Sequence, residues 1–229
     1  MIILRNICKI YKSGKINTIA LDNINITLKN GEFISVIGQS GSGKSTLLNI
    51  IGLLDNPTSG DVYINNELIK NKRDSKLTRY RNMHIGFVFQ SFNLIPVLSV
   101  KENIELPLFF NNIIKKNKHI SEWSDYLIEA VGLYEYKKRR PIELSSGQQQ
   151  RVAIARALVC KPTLVLADEP TANLDSSTGI QIIKLLRKIN YEYNTTFILS
   201  THDKDIVDIT DHVVELKDGR IVNNMIKDK

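Results

Sequence analysis

The sequence predicts an α/β fold with a helical lobe inserted into it, and three observations carry that reading. Short β-rich apolar runs alternate with helical patterns towards both ends of the chain, as in a sheet covered by helices. A glycine-rich loop joins one such run, Phe33 to Ile37, to a helical pattern at Lys44 to Leu54. The stretch from about Ser91 to Lys161 has no clear strand and carries helix-like patterns such as His119 to Val131 and Arg151 to Val159.

In chain order, Ile24 to Leu28 and Phe33 to Ile37 read as strands, and Gly60 to Ile64 with Glu67 to Ile69 as a hairpin turned at Asn65-Asn66. Gly86 to Phe89 is strand-like. Thr163 to Ala167 and Thr195 to Ser200 are further strands with a helical pattern between them, and a last hairpin turns at Asp218-Gly219. No repeat, low-complexity tract or Gly/Ser linker interrupts the chain, so residues 1–229 are expected to form one continuous unit.

The composition bounds the function. Of the 229 residues, 42% are hydrophobic, enough for a sizeable core. The longest apolar stretches fall far short of the roughly 18 residues a membrane-crossing helix needs. The start, Met1 to Arg5, lacks the pattern of a secretory signal, which places the chain in the cytosol. Cys8 and Cys160 have no metal or redox spacing and are expected as buried, reduced thiols. The net charge of +7 would suit nucleic acid, but its runs, Lys115-Lys116-Asn117-Lys118 and Lys137-Lys138-Arg139-Arg140, are short and without interleaved aromatics. Solvated surface is the better reading, and nucleic acid an unlikely partner.

The run Gly38-Gln39-Ser40-Gly41-Ser42-Gly43-Lys44-Ser45 fits G-x-x-x-x-G-K-[S/T], follows a strand and opens a helix. Glycines there let backbone N–H groups converge on phosphate oxygens, and the helix N-terminus adds its positive dipole end. Lys44 then supplies a point charge for the β- and γ-phosphates, and the Ser45 hydroxyl can ligate Mg²⁺. Further on, Leu164 to Ala167 leads into Asp168-Glu169, two carboxylates at the C-terminal end of a buried strand, where open α/β sheets bind ligands. Asp168 is suited to hold Mg²⁺, through water or directly, and Glu169 to orient and deprotonate an attacking water. His202 follows the strand ending at Ser200 and should emerge at the same edge. His84, His119 and His212 have no such placement and read as structural or surface residues.

Taken with Leu144-Ser145-Ser146-Gly147-Gln148, these residues resemble the ABC (ATP-binding cassette) ATPase family, whose signature is L-S-G-G-Q. The resemblance runs over essentially the whole chain. It includes Tyr11 in the position of an adenine-stacking aromatic, the phosphate loop through Thr46, Gln90 of the Q-loop, Asn173-Leu174-Asp175 of the D-loop, and His202. It implies a P-loop NTPase (RecA-like) core with an N-terminal antiparallel β subdomain, about 1–90 and 161–229, and an inserted α-helical subdomain, about 91–160. It also implies ATP hydrolysis in an ATP-dependent homodimer that sandwiches two Mg²⁺-bound ATP molecules, each held by the phosphate loop of one copy and Ser145, Gly147 and Gln148 of the other. Glu169, His202 and Lys44 would be catalytic, and Ser45, Gln90 and Asp168 the metal ligands. The implied partner is a separate integral-membrane permease, with the chain peripheral on the inner face of the cell membrane. The physical reading agrees at the signature, because Ser145 followed by Gln148 looks like a capping box at a second helix N-terminus.

Phe92 to Pro96 and Glu102 to Pro107 resemble a subgroup of lipoprotein-releasing, macrolide-exporting and peptide-resistance ATPases, together with the cell-division ATPase. A regulatory role remains open on this reading, as does a soluble ABC ATPase acting on nucleic acid or ribosome. The third rival, a P-loop kinase or switch GTPase, lacks the signature and His202. Ser146 departs from the family pattern by replacing its first signature glycine, where backbone and nucleotide come close.

Overall fold

The computed structural model describes residues 1–14, 16–69, 73–110 and 119–227. The run Lys115 to Lys118 lies outside them. In chain order the strands are β1 (Ile2–Ser13), β2 (Ile16–Leu28), β3 (Phe33–Ile37), β4 (Ser59–Ile64), β5 (Glu67–Leu68), β6 (Ile85–Val88), β7 (Leu164–Asp168), β8 (Thr196–Ser200), β9 (His212–Lys217) and β10 (Arg220–Ile226). The helices are α1 (Lys44–Ile51), α2 (Asp74–His84), α3 (Val100–Phe110), α4 (His119–Ala130), α5 (Ser146–Leu158), α6 (Ser176–Tyr193) and α7 (Lys204–Ile209).

An antiparallel sheet takes the order β2-β1-β4-β5, and a six-stranded sheet the order β10-β9-β3-β8-β7-β6. In the larger sheet β6, β7, β8, β3 and β9 run parallel and only β10 is antiparallel. Strands β3, β7 and β8 are buried almost throughout, as parallel strands covered on both faces must be. In β2, by contrast, Ile24, Ile26 and Leu28 alternate with exposed residues, so that one face meets the core and the other meets water.

The larger sheet divides the core. Successive strand residues point to opposite faces. Phe33, Val165, Ala167, Phe197 and Leu199 thus join one cluster with residues of α3, α4, α5 and α6. Ile34, Val36, Leu164, Leu166 and Ile198 join another with α1 and the antiparallel sheet. Between β6 and β7 the described residues contain no strand, and α3 and α4 pack on α5. Asn103 of α3 is fully buried and ties down the turn before it, exchanging hydrogen bonds with Ile95 and donating to the carbonyls of Leu98 and Ser99.

Several expectations need adjustment. Helix α1 stops at Ile51 instead of Leu54, because Gly52 caps it and Leu53 turns left-handed at φ 59°. Helix α5 begins five residues before the apolar pattern, since its first turn is polar and set by a cap. Cys8 and Cys160 are free thiols, as expected, but half-buried instead of buried. Both hairpin turns fall where the sequence puts them, with positive φ at Asn65, Asn66, Asp218 and Gly219. His212 is buried between Glu32 and Asn224, a structural role. In the run from Lys137 to Arg140, Lys137 lies over the Tyr134 ring and Arg139 over Tyr136, so half of that charge is engaged by local aromatics.

Candidate active site

The parallel strands deliver their C-terminal ends to one edge, and the phosphate loop leaves β3 there. Two of its glycines are dictated by neighbours. Gly38 has φ 149° and a side chain would come within 2.2 Å of the Leu216 carbonyl; Gly43 has φ 104° and would meet the Ala20 carbonyl at 2.5 Å. Gly41 needs glycine only for its left-handed backbone, φ 79°, with open space around it. No side chain caps the start of α1 and its first turn holds no acid, which leaves its leading amides free to bind an anion. Lys44 folds back along the loop, its ammonium donating to the carbonyls of Gly38 at 2.7 Å and Gln39 at 2.9 Å. That leaves one of its three donor directions for a phosphate oxygen.

A cleft of about 570 Å³ lies against this loop. Gly38 to Gly41 and Gly43 to Thr46 form one side, Gln90, Asp168, Glu169 and His202 another, and Thr18 to Ala20 complete it. Ser42 alone of the predicted loop residues turns away; its hydroxyl is buried and has no partner among the described residues. A larger hollow of about 850 Å³ shares Gly38 to Gly41 and His202 with this cleft and extends to Lys204, Glu215 and Lys217. It lacks the α1 residues, Gln90 and the two acids, so the predicted site residues converge on the smaller cleft.

Glu169 has contacts on several sides of that cleft. It follows β7 with a left-handed backbone, φ 48°, an unfavourable conformation for a residue with a long side chain. Its amide is shared between the Ser200 carbonyl at 3.1 Å and the Ser200 hydroxyl at 3.0 Å. One carboxylate oxygen accepts from Gln90 Nε2 at 3.3 Å, and the other lies 3.5 Å from His202 Nδ1. Gln90, Glu169 and His202, separated widely in sequence, thus meet at one point. Asp168 beside them accepts a hydrogen bond from the Ser200 hydroxyl.

Tyr11 stands on β1 outside the cleft lining, 41% exposed. Its hydroxyl donates to Asp55 at 2.8 Å, and burial together with that carboxylate raises its pKa. At Asp55 burial pushes the pKa up, but hydrogen bonds from Lys9, Tyr11 and the Asn56 amide outweigh it and hold the carboxyl below its ordinary value.

The signature residues are elsewhere. Ser145 caps α5 by accepting from the Gln148 amide at 3.2 Å, and the Gln148 side chain accepts from the Ser145 amide at 2.9 Å, which completes the expected capping box. Gly147 packs against Asn173 so closely that a side chain would stand 3.2 Å from its carbonyl. Ser146 is the first helical residue, exposed, and its φ is not among the positive ones. Among the described residues nothing demands glycine there. Ser145, Gly147 and Gln148 do not line the cleft of their own chain. Asp175 caps α6, accepting from Ser177 at 2.6 Å and the Thr178 amide at 2.9 Å, contacts that hold its carboxyl far below the usual range.

Sequence reasoning missed two residues that build the site. Ser200, fully buried, ties both acids to β8. Arg156 of α5 donates to the carbonyls of Phe92 at 2.5 Å and Asn93 at 2.6 Å, gripping a left-handed turn two residues beyond Gln90. An arginine within the otherwise apolar run Val152 to Leu158 was the available signal.

The family model described as ABC transporter matches residues 21–172. The chain belongs to that family. An uncharacterized ABC transporter ATP-binding protein of Methanocaldococcus jannaschii, MJ0796, is 48% identical over 225 residues, covering 96% of this chain and 95% of that protein. The lipoprotein-releasing system ATP-binding protein LolD of Aquifex aeolicus is 42% identical over 222 residues, with 97% and 96% covered. Among solved structures, a dimeric post-hydrolysis state of the cassette MJ0796 bound to ADP and Pi superimposes with a TM-score of 0.93 at 44% identity, covering all of both chains. CbiO1 of Clostridium perfringens, part of the ABC transporter complex cbiONQ, gives 0.79 at 32% identity, with 97% and 87% covered. The protein is therefore an ATP-binding subunit of the ABC transporter class, and its fold is the expected P-loop NTPase core with an antiparallel β subdomain and an inserted helical one.

Proposed function

We propose that the chain hydrolyses ATP in a head-to-tail homodimer and thereby drives a separate integral-membrane permease that exports or releases a lipoprotein or peptide. The observation that carries the hydrolytic reading is the meeting of Gln90, Glu169 and His202 across the cleft from the phosphate loop. Glu169 takes a proton from water as that water attacks the γ-phosphorus in line with the leaving ADP oxygen. Gln90 and His202 orient the carboxylate and the water. Lys44 and the amides at the start of α1 stabilise charge on the phosphate oxygens, and Tyr11 stacks on adenine.

Ser45, Gln90 and Asp168 offer a hydroxyl, an amide oxygen and a carboxylate. These hard oxygen donors fit Mg²⁺, and the described residues contain no cluster of three His, Cys, Asp or Glu that would hold a metal without the nucleotide's help. When bound, Mg²⁺ would neutralise charge on the β- and γ-phosphates. Ser145, Gly147 and Gln148, absent from their own cleft, serve the cleft of the second copy, where the capped start of α5 faces the γ-phosphate. Residues of about 1–90 and 161–229 form the nucleotide-holding lobe, and those of about 91–160 the lobe that moves with Gln90.

The export reading draws on LolD among the relatives. A permease partner accounts for membrane work by a chain whose described residues include no helix long and apolar enough to cross a bilayer. The test is a detergent pull-down of tagged Glu169→Gln protein with ATP from native membranes. Recovery of a permease carries the transport reading, and the size of its extracytoplasmic part separates lipoprotein release from export. Recovery of only ribosomal or nucleic-acid-associated proteins would overturn it.

A further inference from the structure

We infer that Asp55 is a positioning residue for nucleotide binding: with Lys9 it clamps the Tyr11 ring into a fixed platform for the adenine base. The inference rests on the proposed stacking role of Tyr11 and adds the residues that make the stacking possible. A surface tyrosine on a strand end would ordinarily sample several rotamers and lose that freedom when a base docks. Here the freedom is already gone. The Tyr11 hydroxyl donates to one Asp55 oxygen at 2.8 Å while the Lys9 ammonium binds the other at 2.6 Å. The same ammonium lies 4.9 Å from the Tyr11 ring centroid. One face of the ring is thus backed by a cation, which withdraws electron density and favours an electron-rich purine on the other.

The clamp also sets a distance. Asp55 follows α1, its amide bonded to the Asn49 carbonyl at 3.2 Å, and α1 begins at the phosphate loop. The segment from Asp55 to Thr58 grips β1 at several further points. Lys9 donates to the Asn56 carbonyl at 2.7 Å, the Ile10 amide to the Thr58 hydroxyl at 3.0 Å, and the Thr58 amide to the Cys8 carbonyl at 2.8 Å. The pairing of β1 with β4 ends at Cys8 and Ser59, and this grip carries the attachment on to Ile10, while β2 pairs with β1 through register shifts on either side of Lys9. One helix therefore carries the triphosphate cradle at its start and the anchor of the base platform just past its end. Base and phosphate sites cannot drift apart.

The test separates base from phosphate. ATP and inorganic tripolyphosphate each displace a fluorescent ATP analogue from the full-length chain with Mg²⁺, for the parent, Asp55→Ala, Asp55→Asn, Tyr11→Phe and Tyr11→Ala. The expected result for Asp55→Ala is ATP binding weakened roughly five- to tenfold, with tripolyphosphate unchanged within about twofold. Tyr11→Phe, which keeps the ring and loses the tether, moves in the same direction, and adding it to Asp55→Ala causes no further loss. Equal weakening of both ligands, or no weakening of ATP, would overturn the inference. Asp55→Asn keeps the shape and answers the same question if the alanine variant does not fold. If Tyr11→Ala leaves ATP binding intact, the stacking role itself is wrong. If Tyr11→Ala weakens ATP and neither Asp55 variant does, only the clamp is wrong.

Discussion

The hydroxyl of Ser200 stands 3.0 Å from the amide nitrogen of Glu169 and accepts its proton, while giving its own proton to Asp168. One atom on β8 thus fixes two adjacent acids, the last residue of β7 and the one after it. Ser200→Ala removes both contacts without adding bulk. Stability should fall by about 1 kcal/mol, and turnover by about tenfold as the acids lose their alignment. Thermal unfolding and steady-state ATPase assays measure the two effects, and unchanged turnover would show that the backbone alone holds the acids.

Glu169→Gln keeps the side chain's shape and its contact with the Gln90 amide but can no longer take a proton. The variant should bind ATP, turn over at least about a hundredfold more slowly, and accumulate as a closed dimer visible by gel filtration with ATP. Near-parental turnover would move the base to another residue.

Arg156 binds two carbonyls at once, which lysine's single ammonium cannot reproduce in the same plane. Arg156→Lys should cost about 2 kcal/mol, read as a lowered midpoint in chemical denaturation. Because the turn it grips follows Gln90, ATPase activity should fall further than stability explains. A variant with parental stability and activity would show the grip to be incidental.

Ser146 occupies a helical position with open space, so Ser146→Gly gains nothing inside the chain and should lose about half a kcal/mol of stability from glycine's poor helix propensity. Any benefit must come from closer approach to a neighbouring molecule. ATP-dependent dimerisation measured for both forms decides it: tighter association of the glycine form means the serine holds the copies apart, and identical association makes it silent.

The Asp175 carboxyl is held far below its ordinary pKa by Ser177 and Thr178, and Asp55 is lowered as well. A lowered folded-state value means that the charged forms stabilise the fold fully above the ordinary carboxylate pKa. That contribution disappears as pH falls through the lowered value. Asp175→Asn keeps a capping side chain without the charge, so the parent's advantage in melting temperature should be constant from neutral pH to about 4 and shrink below it. A difference that persists unchanged at lower pH would show that the charge is not its source.

The phosphate loop was legible because each of its positions makes a local demand: glycine where Gly38 and Gly43 meet carbonyls, a lysine and a hydroxyl at the helix start. The acids at the end of β7 and the hairpin turns were readable for the same reason. Strand β1 was not, because its alternation is broken by irregular pairing at Leu4 to Ile7 and again around Lys9. Ser200, Arg156 and Asp55 escaped for a different reason. Their partners lie 32, 63 and 44 residues away along the chain, and a single hydrogen bond across such a span leaves no periodic trace. The signature could be named from its residues, yet its distance from its own cleft appears only in three dimensions.

The backbone of Glu169 sets stability against chemistry. At φ 48° the position suits glycine or asparagine better than glutamate, so its occupant is a standing cost to folding. A library of variants selected only for survival on heating would drift there towards the relaxed residues and discard the carboxylate proposed as the general base. Breeding a hardier form of this protein therefore requires a screen for phosphate release at every round, because at this residue the most heat-resistant winners would be inert.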